Sequence, residues 1–161
     1  MRCPLLFLFS LVPLIFHAKE DVLFSDETNN SKIANLNVYV DGGTFGLINS
    51  LFINVETYVA SSKSNKLNVY LRGSYGHVIF FSGGSGTSSF VNNTKTGVGA
   101  ITLLTGKKNH HFDSSSGIFF RDGSILPFLD LGYRFQKLNG GVIFRGKIGF
   151  LGVGLGIGYS F

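Results

Sequence analysis

The sequence predicts an all-β fold, an antiparallel up-and-down transmembrane barrel of eight strands preceded by a signal peptide. Three observations support this prediction. Residues 152–161 alternate between apolar side chains and glycine or serine, which is the two-residue period of a β-strand. Earlier segments alternate in a similar way, with turn residues between them. The chain also begins with an apolar stretch typical of an export signal.

The N-terminal region is predicted to contain a targeting segment and a flexible tail. Arg2 gives the start a positive charge, and the apolar stretch over 4–16 is shorter than the roughly 20 residues of a membrane-spanning helix. We therefore expect a signal peptide over 1–18, with an uncleaved anchor as the alternative. Residues 19–34 are polar and aperiodic, so the barrel is predicted to occupy 35–161.

The composition argues against several classes of function. Cys3 lies inside the predicted signal peptide, so the exported chain would have no disulfide, no catalytic thiol and no cysteine ligand for a metal. The chain has 14 Lys and Arg against 9 Asp and Glu, but the basic residues are scattered over predicted turns and strands. No basic stripe with interleaved aromatic residues is present, and nucleic-acid binding is therefore not expected.

The strand pattern sorts side chains into an outward and an inward set, because successive residues of a strand point to opposite faces. The eight predicted strands cover 35–43, 51–60, 66–80, 95–105, 110–120, 127–136, 141–150 and 152–161. In the first three strands, the outward residues are Leu36, Val38, Val40, Leu51, Ile53, Val55, Val59, Val69, Leu71, Tyr75 and Ile79. The inward residues of these strands are Asn37, Tyr39, Asp41, Asn54, Glu56, Tyr58, Tyr70, Arg72 and Ser74.

The remaining strands differ in how clearly they alternate. Ile101 and Leu103 alternate with small residues in the fourth strand, and Ser114 and Ser116 interrupt the apolar face of the fifth. The last three strands alternate clearly. Their outward residues are Leu129, Leu131, Tyr133, Phe135, Val142, Phe144, Ile148, Phe150, Val153, Leu155, Ile157, Tyr159 and Phe161.

Alternation alone would also fit a soluble barrel with its apolar face inside. Three further features favour lipid outside and a filled interior, and the export signal is one of them. The polar faces contain few Lys and Glu, and the inner face of the eighth strand is nearly all glycine, which would make room for Arg145 and Lys147. Eight strands also leave an interior just wide enough for side chains to fill it.

An even number of strands places both chain ends at one end of the barrel, which is the periplasmic end in the predicted orientation. The short periplasmic turns are then 61–65, 106–109 and 137–140. The outer connections are 43–50, 81–94, 121–126 and 149–152. The longest connection, rich in Gly and Ser, lies on the outer side, where long loops are usual.

The C-terminal residues resemble the signal by which outer-membrane barrels are recognised for assembly. Gly156, Tyr159 and Phe161 occupy its glycine, hydrophobic and terminal aromatic positions, and Gly154 stands where a polar residue is usual. The segment 129–145 is similar to small outer-membrane barrel proteins of the Bacteroidota. The resemblance implies an eight-stranded barrel of the Gram-negative outer membrane, reached after export through the inner membrane. It also implies outer-membrane lipids and the barrel-assembly machinery as partners, and it carries over no catalytic residue.

Charged residues of both signs are predicted on the inner face. Buried charges need partners, so we expect a network of ion pairs that plugs the barrel and fixes the register of its strands. The alternative is a narrow gated channel in which the same pairs rearrange to admit ions or small solutes. This interior charge network is predicted to contain Asp41, Glu56, Arg72, Asp113, Asp130, Arg134, Arg145 and Lys147.

No catalytic, metal or cofactor site is predicted. His110 and His111 are adjacent on a strand and therefore point to opposite faces, so they cannot readily share one ion with Asp113. Lys107 and Lys108 stand beside them and would repel a cation. We interpret this segment as a solvated turn.

An enzyme on the outer face is a further alternative. Lipid A deacylases are eight-stranded barrels with a Ser/His/acid site that faces the membrane. Here His77 is predicted to point outward, and Ser82 and Ser85 follow it, but no acid is in register with them. We therefore expect a non-catalytic structural or surface-interaction protein, with an extracellular partner at 43–50 and 82–94. A channel, a lipid A-modifying enzyme and a soluble barrel that holds a hydrophobic ligand are the alternatives.

Overall fold

The structure, a computed structural model, describes residues 34–62, 66–82, 89–137 and 139–161. Within these residues, eight antiparallel strands follow one another around a closed barrel, which confirms the predicted all-β, eight-stranded, up-and-down barrel. The strands are β1 (Leu36–Phe45), β2 (Ile48–Ser61), β3 (Leu67–Ser82), β4 (Ser89–Lys107), β5 (His110–Arg121), β6 (Ser124–Gln136), β7 (Gly141–Gly149) and β8 (Gly152–Ser160).

The described residues form no helix that is long and apolar enough to cross a membrane. The predicted signal peptide over 1–18 lies outside these residues, as does the predicted tail apart from Ala34.

The first and last strands close the barrel. β8 pairs with β1 from Asn37 opposite Ser160 to Thr44 opposite Val153. Just beyond β8, the backbone N–H of Phe161 donates to the carbonyl oxygen of Leu36, the first residue of β1, at 2.8 Å. A closed barrel has no free strand edge, so every strand finds a backbone partner on both sides.

The connection predicted over 43–50 is wrong. β1 continues to Phe45 and β2 begins at Ile48, so the connection is a two-residue turn. Gly46 has a φ of 61°, and glycine at the first position of such a turn matches the twist of a β-hairpin. The preceding Gly42 and Gly43 pair with Leu51 and Ser50 inside the strands rather than forming a loop.

The tight turn predicted over 149–152 is confirmed, because β7 ends at Gly149 and β8 begins at Gly152. The two remaining outer connections are shorter than predicted. β3 runs to Ser82 and β4 begins at Ser89, which extends strand pairing into the predicted 82–94 loop; residues 83–88 lie outside the described ranges. Between β5 and β6, Asp122 and Gly123 form the turn, with φ values of 47° and 77°. Asp-Gly is a sequence signal for a tight hairpin turn, so this boundary was available from the sequence.

Side chains separate by face as predicted, with apolar groups outside and polar groups inside. Leu155 is 75% exposed on the outer face, whereas Glu56 and Arg134 on the inner face are fully buried. Toward the end opposite the chain termini, a cluster of apolar side chains, the apolar cap, packs inside the barrel. The apolar cap consists of Phe52, Val78 and Phe119, packed against Ile48, Val98, Phe128 and Leu151.

Candidate functional site

The most distinctive site is the barrel interior. All eight residues of the predicted interior charge network lie on inward faces, and their ion-paired side chains are at most 9% exposed. They come from β1, β2, β3, β5, β6 and β7, so only the closed barrel brings them together.

Arg134 joins two carboxylates at the centre of this network. Its Nη1 lies 2.6 Å from Glu56 Oε2, and its Nη2 lies 2.6 Å from Asp113 Oδ2. Its Nε also donates to Asp113 Oδ2 at 2.7 Å. A guanidinium has five N–H groups in a planar fork, which suits it to hold two carboxylates at once.

Arg145 continues the network from Asp113 to β1. Its Nε and Nη2 donate to the two oxygens of Asp113 at 2.9 and 3.0 Å, a bidentate arrangement. Its Nη1 lies 3.3 Å from Asp41 Oδ2. Asp113 therefore binds two arginines, and its charge is shared between β6 and β7.

Lys147 and Arg72 extend the contacts to the last carboxylate. Lys147 Nζ lies 2.8 Å from Asp41 Oδ1 and 3.8 Å from Asp130 Oδ2. Arg72 Nη2 lies 3.9 Å from the same oxygen of Asp130. Positive and negative side chains thus alternate through the whole network, four of each sign.

Tyr39 closes the network into a ring, a role that the sequence analysis did not assign. Its hydroxyl donates to Glu56 Oε1 at 2.6 Å and accepts from Arg72 Nη1 at 3.5 Å. The guanidinium carbons of Arg134 and Arg145 lie 5.3 and 5.8 Å from the centre of its ring. The inward position of Tyr39 follows from alternation, but its partners depend on the register of distant strands.

A second polar cluster lies nearer the chain termini and was also missed. Gln136 Nε2 donates to Asn37 Oδ1 at 3.0 Å and to Ser160 Oγ at 3.2 Å. Ser160 Oγ donates to Asn37 Oδ1 at 2.7 Å. This cluster ties β1, β6 and β8 together, so side chains reinforce the backbone closure of the barrel.

The glycines of β8 leave room for these side chains. A Cβ on Gly154 would lie 2.9 Å from Lys147 Cε, and one on Gly156 would lie 3.0 Å from the Cβ of Asp41. A Cβ on Gly158 would overlap the side chain of Tyr39. Arg145 is less dependent on this space than predicted, because its Cβ would be 3.6 Å from a Cβ on Gly156, an ordinary contact.

The two adjacent histidines do point to opposite faces, but the prediction of a solvated turn is wrong for His111. His111 is 2% exposed inside the barrel, and its Nε2 lies 3.1 Å from the carbonyl oxygen of Gln136. His110 is outside and contacts the hydroxyl of Tyr133. β5 already begins at His110, so the turn is limited to Lys108 and Asn109. No group of three or more potential metal ligands occurs in the described parts of the chain.

His77 lies on β3, where its ring contacts that of Tyr75. In the strand register, His77 lies opposite Leu51 on one side and Lys95 on the other. Ser82 ends β3 at the rim, and Ser85 lies outside the described residues. The two residues that pair with His77 in the sheet are therefore neither a serine nor a carboxylate.

The arrangement as a whole neutralises charge inside a closed wall. Each of its carboxylates is paired with arginine or lysine, and these pairs connect the strands across the interior. No family model, curated protein or solved structure matches the chain.

Proposed function

We propose that the protein is an integral barrel of the Gram-negative outer membrane with a structural or surface-interaction role. Its filled interior would conduct no solute and perform no catalysis. The observation that carries this proposal is the inverted distribution of side chains. Among the described residues, 28 large hydrophobic side chains are exposed, whereas only 9 hydrophobic residues are buried.

Such an outer surface is unsuited to water. Monomeric soluble proteins rarely expose apolar patches larger than a few hundred Å². Here the apolar residues extend around the barrel, from Val40 on β1 through Leu71 and Leu131 to Leu155 on β8. Contact with lipid would remove this surface from water, and the closed barrel satisfies the backbone hydrogen bonds that lipid cannot.

Strand length and aromatic placement agree with a membrane location. The shortest strands, β7 and β8, have 9 residues each, and about 9–11 residues of tilted strand cross the hydrocarbon core. Near the chain termini, Tyr133, Phe144, Tyr159 and Phe161 are about half exposed or more. Aromatic girdles at this level are typical of transmembrane barrels.

The closed interior favours a structural role over a channel. The interior charge network joins strands across the barrel, and the apolar cap packs inside it toward the end opposite the chain termini. A soluble carrier for a hydrophobic ligand is also disfavoured, because this interior is charged and filled.

The proposed partners follow from the outer surface and the rims. Outer-membrane lipids would cover the wall, and the assembly machinery would recognise β8 through Gly156, Tyr159 and Phe161. The β3–β4 hairpin, with strands of 16 and 19 residues, rises above its neighbours and is the best contact surface for an extracellular partner. The other proposed surface, 43–50, contributes mainly its tight turn.

Membrane extraction tests the proposal directly. The protein should stay with the membrane fraction after washing with alkaline carbonate and require detergent for release. Unboiled samples should migrate differently from boiled ones on a denaturing gel, as closed barrels do. A folded protein that stays in solution without detergent would contradict the membrane location.

A further inference from the structure

The chain-terminal end of the barrel carries a basic rim. Three turns and the adjoining end of β4 present exposed lysines at this end, which we call the lysine rim. The lysine rim consists of Lys66, Lys107, Lys108 and Lys137.

Backbone hydrogen bonds join these turns into one surface. The N–H of Gly106 donates to the carbonyl oxygen of Lys66 at 3.2 Å, and the N–H of Gln136 donates to that of Asn109 at 2.9 Å. Lys107 and Lys137 follow directly after the two donor residues. The lysines therefore stand on neighbouring turns along one side of the barrel mouth, although they are far apart in sequence.

No acidic side chain balances this rim within the described residues. Of the described Asp and Glu side chains, Asp41, Glu56, Asp113 and Asp130 are buried inside the barrel. Asp122 is exposed, but it lies in the β5–β6 turn at the opposite end and pairs with Arg121 at 3.4 Å. The two ends of the barrel thus differ in charge.

We propose that the lysine rim binds anionic phospholipid headgroups of the leaflet that surrounds the chain-terminal end. This inference rests on the membrane location proposed above. Tyr133 and Tyr159 lie on the outer wall near the same end, where aromatic side chains usually meet the headgroup layer. The rim then stands at the level of the phosphates. Lysines near a membrane surface attract anionic lipids, and salt weakens that attraction.

A lipid layer suits this rim better than a single peptide segment. The lysines are divided among three turns, and a headgroup layer contacts all three at once. The competing occupant is the acidic stretch of this chain that contains Glu20, Asp21, Asp26 and Glu27, which precedes the barrel in the sequence.

Spin-labelled lipids test the proposal. The full chain is reconstituted in phosphatidylcholine vesicles that contain a trace of spin-labelled phosphatidylglycerol or spin-labelled phosphatidylcholine. We expect the protein to immobilise phosphatidylglycerol about threefold more strongly than phosphatidylcholine at low salt. One lysine strengthens binding to an anionic surface about fivefold. The average over both leaflets is smaller, because only one leaflet contacts the rim. The preference should fall toward onefold in 0.5 M salt, a concentration at which the Debye length is only about 4 Å.

Variants assign the preference to the rim. Replacing all four lysines by glutamine should abolish it, and the pairs Lys66→Gln/Lys137→Gln and Lys107→Gln/Lys108→Gln should each reduce it. Lys95→Gln is the matched control, because Lys95 is exposed on the outer wall toward the opposite end. An unchanged preference in the fourfold variant, or a loss in the control alone, would overturn the proposal.

Two further outcomes are distinct. Equal immobilisation of both lipids in the wild type would overturn lipid binding by the rim but leave the membrane location intact. The acidic stretch is tested by replacing Glu20, Asp21, Asp26 and Glu27 with the corresponding amides. If a protein without a lipid preference gained one for phosphatidylglycerol after this change, the acidic stretch would be the occupant of the rim. Immobilisation of neither lipid would instead refute the proposed membrane location.

Discussion

Arg134 and Glu56 are 78 positions apart in the chain, yet their side chains meet at 2.6 Å in the fully buried centre of the barrel. Glu56 also accepts from Tyr39, and Arg134 also holds Asp113. A charge pair of this kind is stabilising only while both partners remain, because each would otherwise be an uncompensated buried charge. The pair therefore makes β2 and β6 mutually dependent.

Arg134→Met should destabilise the barrel by about 3–5 kcal/mol, because it leaves Glu56 and Asp113 without their shared cation. Urea unfolding of the protein reconstituted in vesicles measures the loss. Lys95→Gln, an exposed substitution, should change stability by about 0.5 kcal/mol at most. Equal effects of the two substitutions would show that the interior charge network does not hold the fold together.

Gly158→Ala should be strongly destabilising, by about 1–3 kcal/mol or more, since its methyl group would overlap Tyr39. Gly73→Ala is the matched control, because a Cβ there would have no neighbour within 4 Å. The fraction of folded protein on an unboiled gel compares the two variants. If both fold equally well, the packing of Tyr39 against β8 is looser than we describe.

Leu131→Arg should cost about 2–4 kcal/mol in a bilayer, as expected for arginine on the lipid face near the midplane. Val142→Arg, at the second residue of β7 and close to the chain-terminal end, should cost only about 0–1 kcal/mol. Unfolding free energies in vesicles provide the comparison. Leu131 is 39% exposed, so a barrel surrounded by water would tolerate both changes similarly.

The wild-type protein should produce no stable conductance steps in planar bilayers, because paired charges and the apolar cap fill its interior. Single-channel recording measures this directly. Steps whose size changes in Glu56→Gln or Arg145→Gln would contradict a filled interior and establish the channel alternative. Detergent-only additions to the bilayer provide the blank.

Much of the fold could be predicted because alternation is a local property. The two-residue period assigned Arg134 and Glu56 inward and Leu131 outward without reference to any other strand. The outer turns were harder to predict. Gly42 and Gly43 suggested a loop, but in the barrel their backbones pair within a hairpin, and the turn itself is confined to Gly46 and Leu47.

The site was predictable as a set of residues and not as a set of contacts. Alternation placed the charged residues inside, and the cost of burying charge implied that they would pair. Which carboxylate each arginine binds depends on the stagger of all eight strands around the barrel. For the same reason, the link of Tyr39 to Glu56 and the burial of His111 carried no signal in the sequence beyond their position on a strand.

The sequence by itself determined the number of strands and the two faces of the wall, because side-chain direction along a strand depends only on neighbouring residues. Only the tertiary structure decided how distant residues meet. The barrel register joins Arg134 to Glu56. The pairing of β3 with β4 and of β5 with β6 brings the turns near Lys66, Lys107 and Lys137 together at one rim. The lysines are far apart in the sequence. They lie close together in the structure because alternate turns of an up-and-down barrel lie at the same end.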